Sequence, residues 1–350
     1  MRSPWDDRLY IVGEIGLNHN GQRHLALEAI SVAKDAGCDA IKFQTFAASE
    51  FCDPTVEYEY LSRGETVREP MIDMFRRSEL PPEIWKECVE FARSTGIDLF
   101  TTPQNATDLR HFNVKELPAI KVGSDDLTNT VLLQDLASYS RPMILSSGMA
   151  SLSQIATALE AVDWPRRQDV ALLVCTSEYP ASFNSLNLRR IETLRGAFPG
   201  LAIGFSDHSV GSTSAACAVA LGAQVFEKHF TVSKELPGPD HWFSADGDEL
   251  SMWCTTIRDA ESSLGSGVVE PTEAERELAT VARRSVVALV DIPMGAVITR
   301  EMVGMRRPGT GLSSETIAWI VGCLATRSIR AHEPLSWEML TTREGDLADD

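Results

Sequence analysis

The chain has 350 residues, 43% of them hydrophobic, which is enough for one large domain and a small one. A formal net charge of −18 and a pI near 4.8 argue against nucleic acid or an anionic membrane surface as a general partner. Any anionic ligand must therefore be held by local cations. There is no apolar signal core at the N-terminus and no run of about 18 apolar residues, so we expect a soluble, cytoplasmic protein.

Eight short apolar runs recur along the chain, separated by helical patterns. They cover residues 10–13, 40–43, 97–101, 119–122, 143–145, 170–175, 201–205 and 224–227. One of the helical patterns, at residues 25–37, ends in a C-cap glycine. This alternation predicts an α/β fold with a parallel sheet, and eight units over about 260 residues favour a closed (β/α)₈ TIM barrel over an open doubly wound sheet.

The connection between the second and third runs, from Thr45 to Gly96, is much longer than the others. It carries two helical patterns, near residues 70–77 and 81–95. Long loops at the mouth of a barrel often act as lids, so we expect this segment to lie over the site.

The character of the sequence changes after Leu264. Residues 265–284 combine a Gly- and Pro-containing run with an acidic helical stretch to about Val281, which predicts a linker between domains. The TIM-barrel catalytic domain is therefore predicted to cover residues 1–264.

Residues 285–350 contain short strands and turns and are predicted to form a small, mostly β domain. Segments 291–302 and 331–339 partly repeat each other, each with a Thr or Ser that could cap a short helix. About 60 residues is small for an independent core. We therefore expect this domain to pack against something else, such as the barrel of another subunit.

Two histidines follow consecutive predicted strands. His208 comes after the apolar run 201–204, and His229 comes after the run 223–226. In a barrel, chemistry lies at the carboxyl ends of the strands, where neighbouring loops converge. The two imidazoles could share one metal ion.

The seven cysteines form no CxxC pair, and their odd number favours reduced thiols in a core.

Two lysines are predicted to point into the barrel lumen. Strand alternation places Lys42 and Gln44 on one face of the second strand, and the same alternation sets Lys121 among small residues in the fourth. Buried lysines are costly unless an anion compensates them. One interpretation is an ion pair with Glu14 or Asp126. The other is a phosphate or carboxylate ligand, in which case replacing either lysine with Met should leave thermal stability unchanged or raise it.

Hydroxyl side chains recur at the mouths of five predicted strands, where they would add neutral donors for an anion. They are Thr102, Ser124, Ser146, Ser177 and Ser206. Glu14 ends the first predicted strand. It can act as acid, base or hydrogen-bond acceptor, or it can simply pair with a lumen lysine.

Seven segments together resemble the sialic acid synthase (N-acetylneuraminate synthase) family, in order and from about residue 10 to residue 340. They are EIGLNHNG (14–21), KFQTF (42–46), LSSGM (145–149), FSDH (205–208), EKHFT (227–231), PGPDH (237–241) and RPGTG (307–311). The resemblance implies a TIM barrel followed by an antifreeze-like SAF domain. It also implies a domain-swapped homodimer in which each small domain reaches the partner's barrel.

The resemblance implies a reaction as well. Phosphoenolpyruvate would condense with N-acetylmannosamine or a related open-chain hexose, giving a nine-carbon 2-keto-3-deoxy acid and phosphate. A divalent metal, manganese or magnesium, would be held by His208 and His229 and would polarise the sugar aldehyde. Carbon 3 of phosphoenolpyruvate would then attack, and water would add at carbon 2 before phosphate leaves with C–O cleavage.

Further roles are carried over from the family by matching positions. The phosphoenolpyruvate site would comprise Lys42, Thr102, Lys121, Ser124, Ser146 and Ser206. The sugar site would comprise Glu14, Gln44, Tyr179 and Asp240, with Arg307 offered by the partner. Glu14 and Asp126 would join the two histidines as catalytic residues, Asp126 standing where the family frequently has glutamate.

Three departures from the family pattern border the sugar site: Gln104-Asn105, the Asp125-Asp126 pair, and Ser177 where members often have Asn. They leave the sugar open, and legionaminic, pseudaminic and deaminated sialic acids are all possible products. Two other classes also remain. A pyruvate-using, metal-dependent aldolase would share the histidines but release no phosphate, and a non-catalytic sugar-binding protein would need only the cleft.

Overall fold

The structure, a computed structural model, describes residues 2–342. The chain forms two compact units that divide after Gly265. Within the described residues, no helix is both long enough and apolar enough to cross a membrane.

Eight strands of the first unit close into a parallel barrel, in the order β1-β2-β5-β6-β7-β8-β9-β10. The strands of this unit are β1 (Tyr10–Gly16), β2 (Ala40–Thr45), β3 (Glu57–Ser62), β4 (Glu65–Pro70), β5 (Asp98–Pro103), β6 (Ile120–Val122), β7 (Met143–Ser146), β8 (Val170–Cys175), β9 (Ala202–Asp207) and β10 (Val225–His229). Each barrel strand coincides with one of the eight apolar runs. The predicted TIM barrel is therefore confirmed.

Helices fill most of the connections and cover the outside of the barrel. They are α1 (Arg23–Asp35), α2 (Ala48–Phe51), α3 (Met71–Arg77), α4 (Pro82–Thr95), α5 (Thr130–Ala137), α6 (Leu152–Ala161), α7 (Phe183–Leu186), α8 (Arg190–Ala197), α9 (Thr213–Ala220) and α10 (Gly247–Leu264). Short 3₁₀ helices lie at Ala106–His111 and Val114–Glu116. In α1, Leu25, Ala26, Ala29, Ile30 and Ala33 are buried, the spacing that places one helix face on the sheet.

The long connection after β2 contains a β-hairpin that sequence analysis missed. Strands β3 and β4 pair antiparallel around Arg63 and Gly64, both of which have positive φ. Charged and aromatic residues alternate in Glu57–Ser62, and most of them are exposed, so the strand lacks the apolar signature of the barrel strands. The two helices predicted in this connection are confirmed as α3 and α4.

The second unit begins with α11 (Glu273–Ala282), which is the acidic helix expected within the linker. The backbone N–H of Gly309 donates to the carbonyl of Thr280 at 2.9 Å, so this helix is bonded to the small unit. The other elements are β11 (Ser285–Ala288), β12 (Val303–Arg306), α12 (Ile317–Ile320), β13 (Leu324–Ala325) and β14 (Leu340–Thr341), with 3₁₀ helices at Arg300–Met302, Ser314–Thr316 and Trp337–Met339. Strands β11 and β12 pair antiparallel, as do β13 and β14.

The small unit has an apolar core of its own. Its buried members are Val286, Ala288, Ile292, Ile298, Val303, Ile320, Ala325, Ile329 and Leu335. Thr299 and Ser336 precede the 3₁₀ helices of the two repeated segments, as predicted, although neither side chain makes a capping hydrogen bond. Residues 343–350 of the predicted small domain lie outside the described residues.

Packing of the barrel requires a glycine in β9. A side chain on Gly204 would place its Cβ 2.3 Å from the carbonyl oxygen of Val225 and 2.4 Å from a methyl of Leu173. We expect Gly204→Ala to lower the free energy of unfolding in a urea titration by about 2–3 kcal/mol or more, because the neighbouring backbone must move. Gly196→Ala, in α8, is the control. A Cβ added there would have no heavy atom within 4 Å beyond its chain neighbours and its own helix backbone, so the variant should be neutral or stabilising by up to about 1 kcal/mol. Equal stability of the two variants would contradict this account.

Candidate functional site

A cavity of about 780 Å³ lies within the first unit, over the carboxyl ends of the barrel strands. Except for Asp126 and Arg307, every site residue predicted from the sequence lines it. These residues are Glu14, Lys42, Gln44, Thr102, Lys121, Ser124, Ser146, Ser177, Tyr179, Ser206, His208, His229 and Asp240. Closure of the barrel thus brings together side chains from all eight strands or the loops that follow them.

The floor of the cavity is a buried cluster of two lysines and two glutamates. Lys42 Nζ lies 2.5 Å from Glu14 Oε2 and 3.7 Å from Glu227 Oε2. Lys121 Nζ lies 3.6 Å from Glu227 Oε1. All four side chains are almost completely buried, so these charges interact with little solvent screening. The ion pair proposed between Lys42 and Glu14 is present, whereas neither lysine pairs with Asp126.

Hydroxyls complete the polar floor. Lys42 donates to Thr102 Oγ1 and Lys121 donates to Ser146 Oγ, both at 2.8 Å. Ser206 donates to Glu227 Oε1 at 2.9 Å. The lysine charges are therefore held at fixed positions by neutral as well as charged partners.

Burial and pairing set the protonation of this cluster. Burial alone would raise the pKa of Glu227, but Lys121 and Lys42 outweigh it and hold the pKa at about 2. Burial raises the pKa of Glu14 despite the opposing charge of Lys42. Burial lowers the pKa of Lys121, whereas for Lys42 the nearby Glu14 and Glu227 overcome burial and raise the pKa. Glu227 is therefore the carboxylate most firmly held in its charged form.

Glu227 was missed by the sequence analysis. A signal was available, because Glu227 and His229 are two residues apart in β10 and strand alternation places them on the same face. What the pattern could not show is that the carboxylate lies between two lysines from β2 and β6.

Ser124, Ser177 and Gly148 converge on one side of the floor. The backbone N–H of Gly148 donates to Ser124 Oγ at 3.0 Å. A Cβ on Gly148 would lie 2.4 Å from Ser177 Oγ and 2.6 Å from Ser124 Oγ, so a larger residue here would displace both hydroxyl groups. Ser177 Oγ is buried and has no hydrogen-bond partner among the described residues. This side of the cavity thus offers hydroxyl groups to a ligand.

Glu14, Gln44 and Asp240 converge on another side, around Gly16. Gln44 Nε2 donates to Glu14 Oε1 at 3.1 Å. A Cβ on Gly16 would lie 3.1 Å from Glu14 Oε1 and 3.7 Å from Asp240 Oδ2. Burial, followed by the charge of Glu14, raises the pKa of Asp240 to about 7. Donors and acceptors of this kind suit the hydroxyl and amide groups of a sugar.

His208 and His229 lie side by side, with ring centroids 5.4 Å apart. The Nδ1–H of His208 donates to the carbonyl of Thr176 at 2.8 Å, which directs Nε2 away from that bond. His229 Nδ1 is buried without a hydrogen-bond partner among the described residues. Burial and the neighbouring His208 keep the pKa of His229 well below its usual value, so the ring is neutral, the form that binds metal.

These two rings fit a metal ion that takes two protein ligands and keeps further positions for water or substrate. Among residues 2–342, no group of three or more His, Cys, Asp or Glu side chains is arranged to hold a metal ion.

The residues preceding the two histidines are anchored on the helix side of the barrel. Asp207 accepts hydrogen bonds from Trp253 Nε1 and from the backbone N–H of Ser209, both at 2.9 Å. Lys228 Nζ lies 3.3 Å from Asp207 Oδ2. This buried pair joins the ends of β9 and β10 and so fixes the two histidine-bearing backbones relative to each other.

Asp126 lies outside the cavity lining, and its catalytic role stays a prediction. Its Oδ1 accepts a hydrogen bond from Asn129 Nδ2 at 3.2 Å, and the side chain does not line the cavity. Asp125 lines the cavity instead, because its carboxylate folds back over Gly123, where a Cβ would lie 2.2 Å from Asp125 Oδ1. Two adjacent aspartates in a turn cannot be told apart by sequence spacing alone.

Arg307 lies in the second unit, where its side chain is exposed. Its assignment to a sugar site therefore stays a prediction.

Cavity-lining residues that sequence analysis did not assign to the site include Cys175, Gln104, Trp242, Phe243, and Tyr58 and Tyr60 of the hairpin. Gln104 and Asp125 had been noted only as departures from the family pattern, and both face the cavity.

Comparison with known proteins decides the family. The sequence profile of the NeuB family matches residues 29–269, and that of the SAF domain matches residues 283–341. The chain belongs to the NeuB family. It is accordingly a nonulosonic acid synthase of the kind that uses phosphoenolpyruvate, with a C-terminal SAF domain, and the family's enzymes are generally metal-dependent.

Individual relatives cover nearly the whole chain. The N,N'-diacetyllegionaminic acid synthase of Legionella pneumophila is 38% identical over 94% of each chain. The pseudaminic acid synthase of Campylobacter jejuni is 30% identical over 94% of this chain and 96% of its own. The crystal structure of an N-acetylneuraminic acid synthetase from Leptospira borgpetersenii, in complex with citrate, is 32% identical. It has a TM-score of 0.68 and covers 78% of this chain and 90% of that one.

From the sequence, one interpretation predicted that Lys42→Met would leave thermal stability unchanged or raise it. The ion pairs of Lys42 predict a loss of stability instead. In Lys42→Met, Glu14 loses its cation at 2.5 Å, so we expect the free energy of unfolding to fall by about 3–5 kcal/mol in urea titrations. Adding Glu14→Gln should recover part of the loss, because the unpaired buried charge is then removed. Lys86→Met, at a side chain 78% exposed, is the control and should change stability by less than about 0.5 kcal/mol. A Lys42→Met protein as stable as the native one would contradict the structural role of the pair.

Proposed function

We propose that this enzyme condenses phosphoenolpyruvate with the aldehyde of an open-chain N-acylated hexose, giving a nine-carbon 2-keto-3-deoxy acid and inorganic phosphate. The observation that carries the proposal is the floor of the cavity. Lys42 and Lys121 are fixed beside hydroxyl groups, next to two histidines and within the same cavity as Glu14, Gln44 and Asp240. An anionic substrate and a polar one can therefore meet at this floor.

The lysines and hydroxyls would bind phosphoenolpyruvate. Lys121 with Ser146 and Lys42 with Thr102 supply charge-assisted donors for its carboxylate and phosphate. Ser177 Oγ, which has no partner among the described residues, would add a further hydrogen bond. Because ion pairs and hydrogen bonds already hold these groups in position, they need little reorganisation as negative charge moves to the leaving phosphate.

Glu14, Gln44 and Asp240 would orient the sugar. Burial raises the pKa of Glu14, which brings protonation of this carboxyl closer to reach, and the protonated carboxyl can donate to the oxygen of the reacting aldehyde. His208 and His229 would hold a divalent cation, manganese or magnesium, which when bound supplies Lewis-acid polarisation of that aldehyde. The new bond joins carbon 3 of phosphoenolpyruvate to the aldehyde carbon. Water adds at carbon 2, and phosphate leaves with cleavage of the C–O bond.

Phosphate release with an isotope label tests this reaction. Phosphoenolpyruvate carrying ¹⁸O in its bridging position should deliver the label to inorganic phosphate, only when an N-acylated hexose is present. His229→Ala should lose at least about 1,000-fold in kcat and should no longer bind Mn²⁺ in calorimetry, because one of two ligands is gone. His24→Ala, at an exposed histidine of α1, should match the native enzyme.

Each alternative gives a different result. A pyruvate-using aldolase would form product from pyruvate and release no phosphate from phosphoenolpyruvate. A sugar-binding protein would bind hexoses without turnover. Either result would reject the proposed reaction.

We further propose that Arg307 completes the sugar site of a partner barrel in a homodimer. Of the described residues that line the cavity, none is an arginine, while the small unit exposes Arg307. The Gly- and Pro-containing segment before α11 gives the chain length to reach a neighbour. An arginine would hydrogen-bond hydroxyl or acyl oxygens of the sugar.

Mixing two inactive variants tests whether the arginine acts in trans. Arg307→Ala should keep its affinity for phosphoenolpyruvate and lose most turnover. Heterodimers of Arg307→Ala with His208→Ala should regain one intact site of two, and light scattering should show a dimer. If heterodimers form and activity does not return, the swapped arrangement is wrong.

A further inference from the structure

Two buried cysteines lie side by side in the first unit. Cys38 Sγ and Cys254 Sγ are 3.6 Å apart. All seven cysteines belong to the residues that the structure describes, and all of them are free thiols. Neither Cys38 nor Cys254 lines the cavity, and the proposed reaction uses neither. A disulfide requires about 2.05 Å between the sulfurs, so the two thiols are close to bonding distance without being bonded.

The backbones that carry the two sulfurs are also close to each other. Cys38 lies in the turn between α1 and β2, where its N–H donates to the carbonyl of Ala33 at 3.0 Å. Cys254 lies on the buried face of α10. A Cβ on Gly37, the residue before Cys38, would lie 3.8 Å from the Cβ of Cys254. The sulfurs would have to approach by about 1.5 Å to bond, which side-chain rotation can supply.

A second contact joins the same two segments of the chain. Arg258 lies one helical turn after Cys254 in α10. It donates to Asp39, the residue after Cys38, at 2.6 Å, and to the carbonyl of Leu9 at 2.7 Å. Helix α10 follows β10, which pairs with β1, so these contacts lie where the barrel closes. We call this place the seam of the barrel.

The cysteine pair lies at the end of the barrel opposite the cavity. Cys38 comes just before β2 and is therefore near the amino end of that strand, whereas the cavity lies over the carboxyl ends of the strands. In TIM barrels the amino-terminal face serves stability, and the carboxyl-terminal face serves the chemistry. A covalent bond at the seam would therefore act on the barrel and leave the geometry of the site unchanged.

We propose that Cys38 and Cys254 form a disulfide when the protein meets hydrogen peroxide, and that this bond links the first and last β/α units covalently across the seam. One sulfur attacks a peroxide oxygen, the O–O bond breaks, and a sulfenic acid and water form. The other sulfur then attacks the sulfenic sulfur, so that the S–S bond forms and the S–O bond breaks with release of a second water. In total the two thiols lose two electrons and two protons, and one peroxide becomes two waters.

Burial of the pair determines how fast it reacts and what the bond does. The hydrogen bond with Cys254, followed by burial, raises the pKa of Cys38 well above its usual value. Because the thiolate is the reacting form, the pair should oxidise more slowly than the exposed Cys217, and its rate should rise with pH. The bond would join residues 216 positions apart. Such a long closed loop restricts the unfolded chain strongly and so stabilises the fold.

Peroxide treatment of the full chain tests the cross-link. After exposure to excess peroxide and alkylation of the remaining thiols, peptide mapping without reductant should recover Cys38 and Cys254 in one cross-linked pair of peptides. Thermal melting should show a Tm at least about 5 °C above that of the reduced protein, and dithiothreitol should reverse the shift. Activity is not the readout, because Cys175 lines the cavity and peroxide can oxidise that thiol as well.

Single substitutions provide the matched controls. Cys38→Ser and Cys254→Ser should each lose both the cross-linked peptides and the rise in Tm. Cys217→Ser, at an exposed position of α9, should keep both. Each variant is compared with itself, oxidised against reduced, so a lower starting stability does not affect the result. Should either serine variant fail to fold, the alanine variant at that position replaces it, since alanine leaves no unpaired hydroxyl in the core.

Two results would overturn the proposal. In the first, Cys217 is fully oxidised after prolonged exposure in alkaline buffer, while Cys38 and Cys254 are still alkylated once the protein is unfolded. In the second, the cross-link forms and the Tm stays the same or falls, which would show that the bond does not stabilise the seam. Neither result depends on the proposed reaction, because the test uses no substrate.

Discussion

The site depends on a buried charge cluster in the barrel lumen. Lys42 and Lys121 cannot remain charged in an apolar core without partners, and Glu14 and Glu227 provide them at 2.5 to 3.7 Å. With all four groups ionised, the cluster is formally neutral. In the proposed reaction phosphoenolpyruvate therefore brings uncompensated negative charge, which a divalent cation at the histidines and a proton on Glu14 would offset. The ion pairs that allow the lysines to be buried therefore also oppose the binding of an anion, unless its charge is offset.

A second constraint fixes the relative positions of His208 and His229 at the ends of β9 and β10. His208 and His229 belong to neighbouring strands, and the residues before them, Asp207 and Lys228, form a buried ion pair at 3.3 Å on the helix side. Each strand therefore presents a histidine to the cavity and a charged residue to the surrounding helices. The pair therefore fixes the backbone positions from which the two imidazoles reach the cavity.

The cavity combines its charged floor with an apolar side, and the two arise from different parts of the fold. The apolar side comprises Leu17, Tyr60, Leu61, Met71, Met74 and Phe75. The floor comes from barrel strands, whose inward side chains are fixed by closure. Most of the apolar side comes from the long connection after β2, which can vary without disturbing the barrel. The charged floor can therefore stay the same while the apolar side changes.

The sequence by itself determined the eight barrel strands, the helices of the long connection and the lumen position of Lys42, because each depends on a periodicity among consecutive residues. It also marked His208 and His229 as neighbours, because they end consecutive strands. Only the tertiary structure placed Glu227 between two lysines, turned Asp125 rather than Asp126 to the cavity and brought the hairpin to the side of the cavity. These arrangements depend on contacts between residues far apart in the chain or on the path of a single turn. Local pattern carries no information on either.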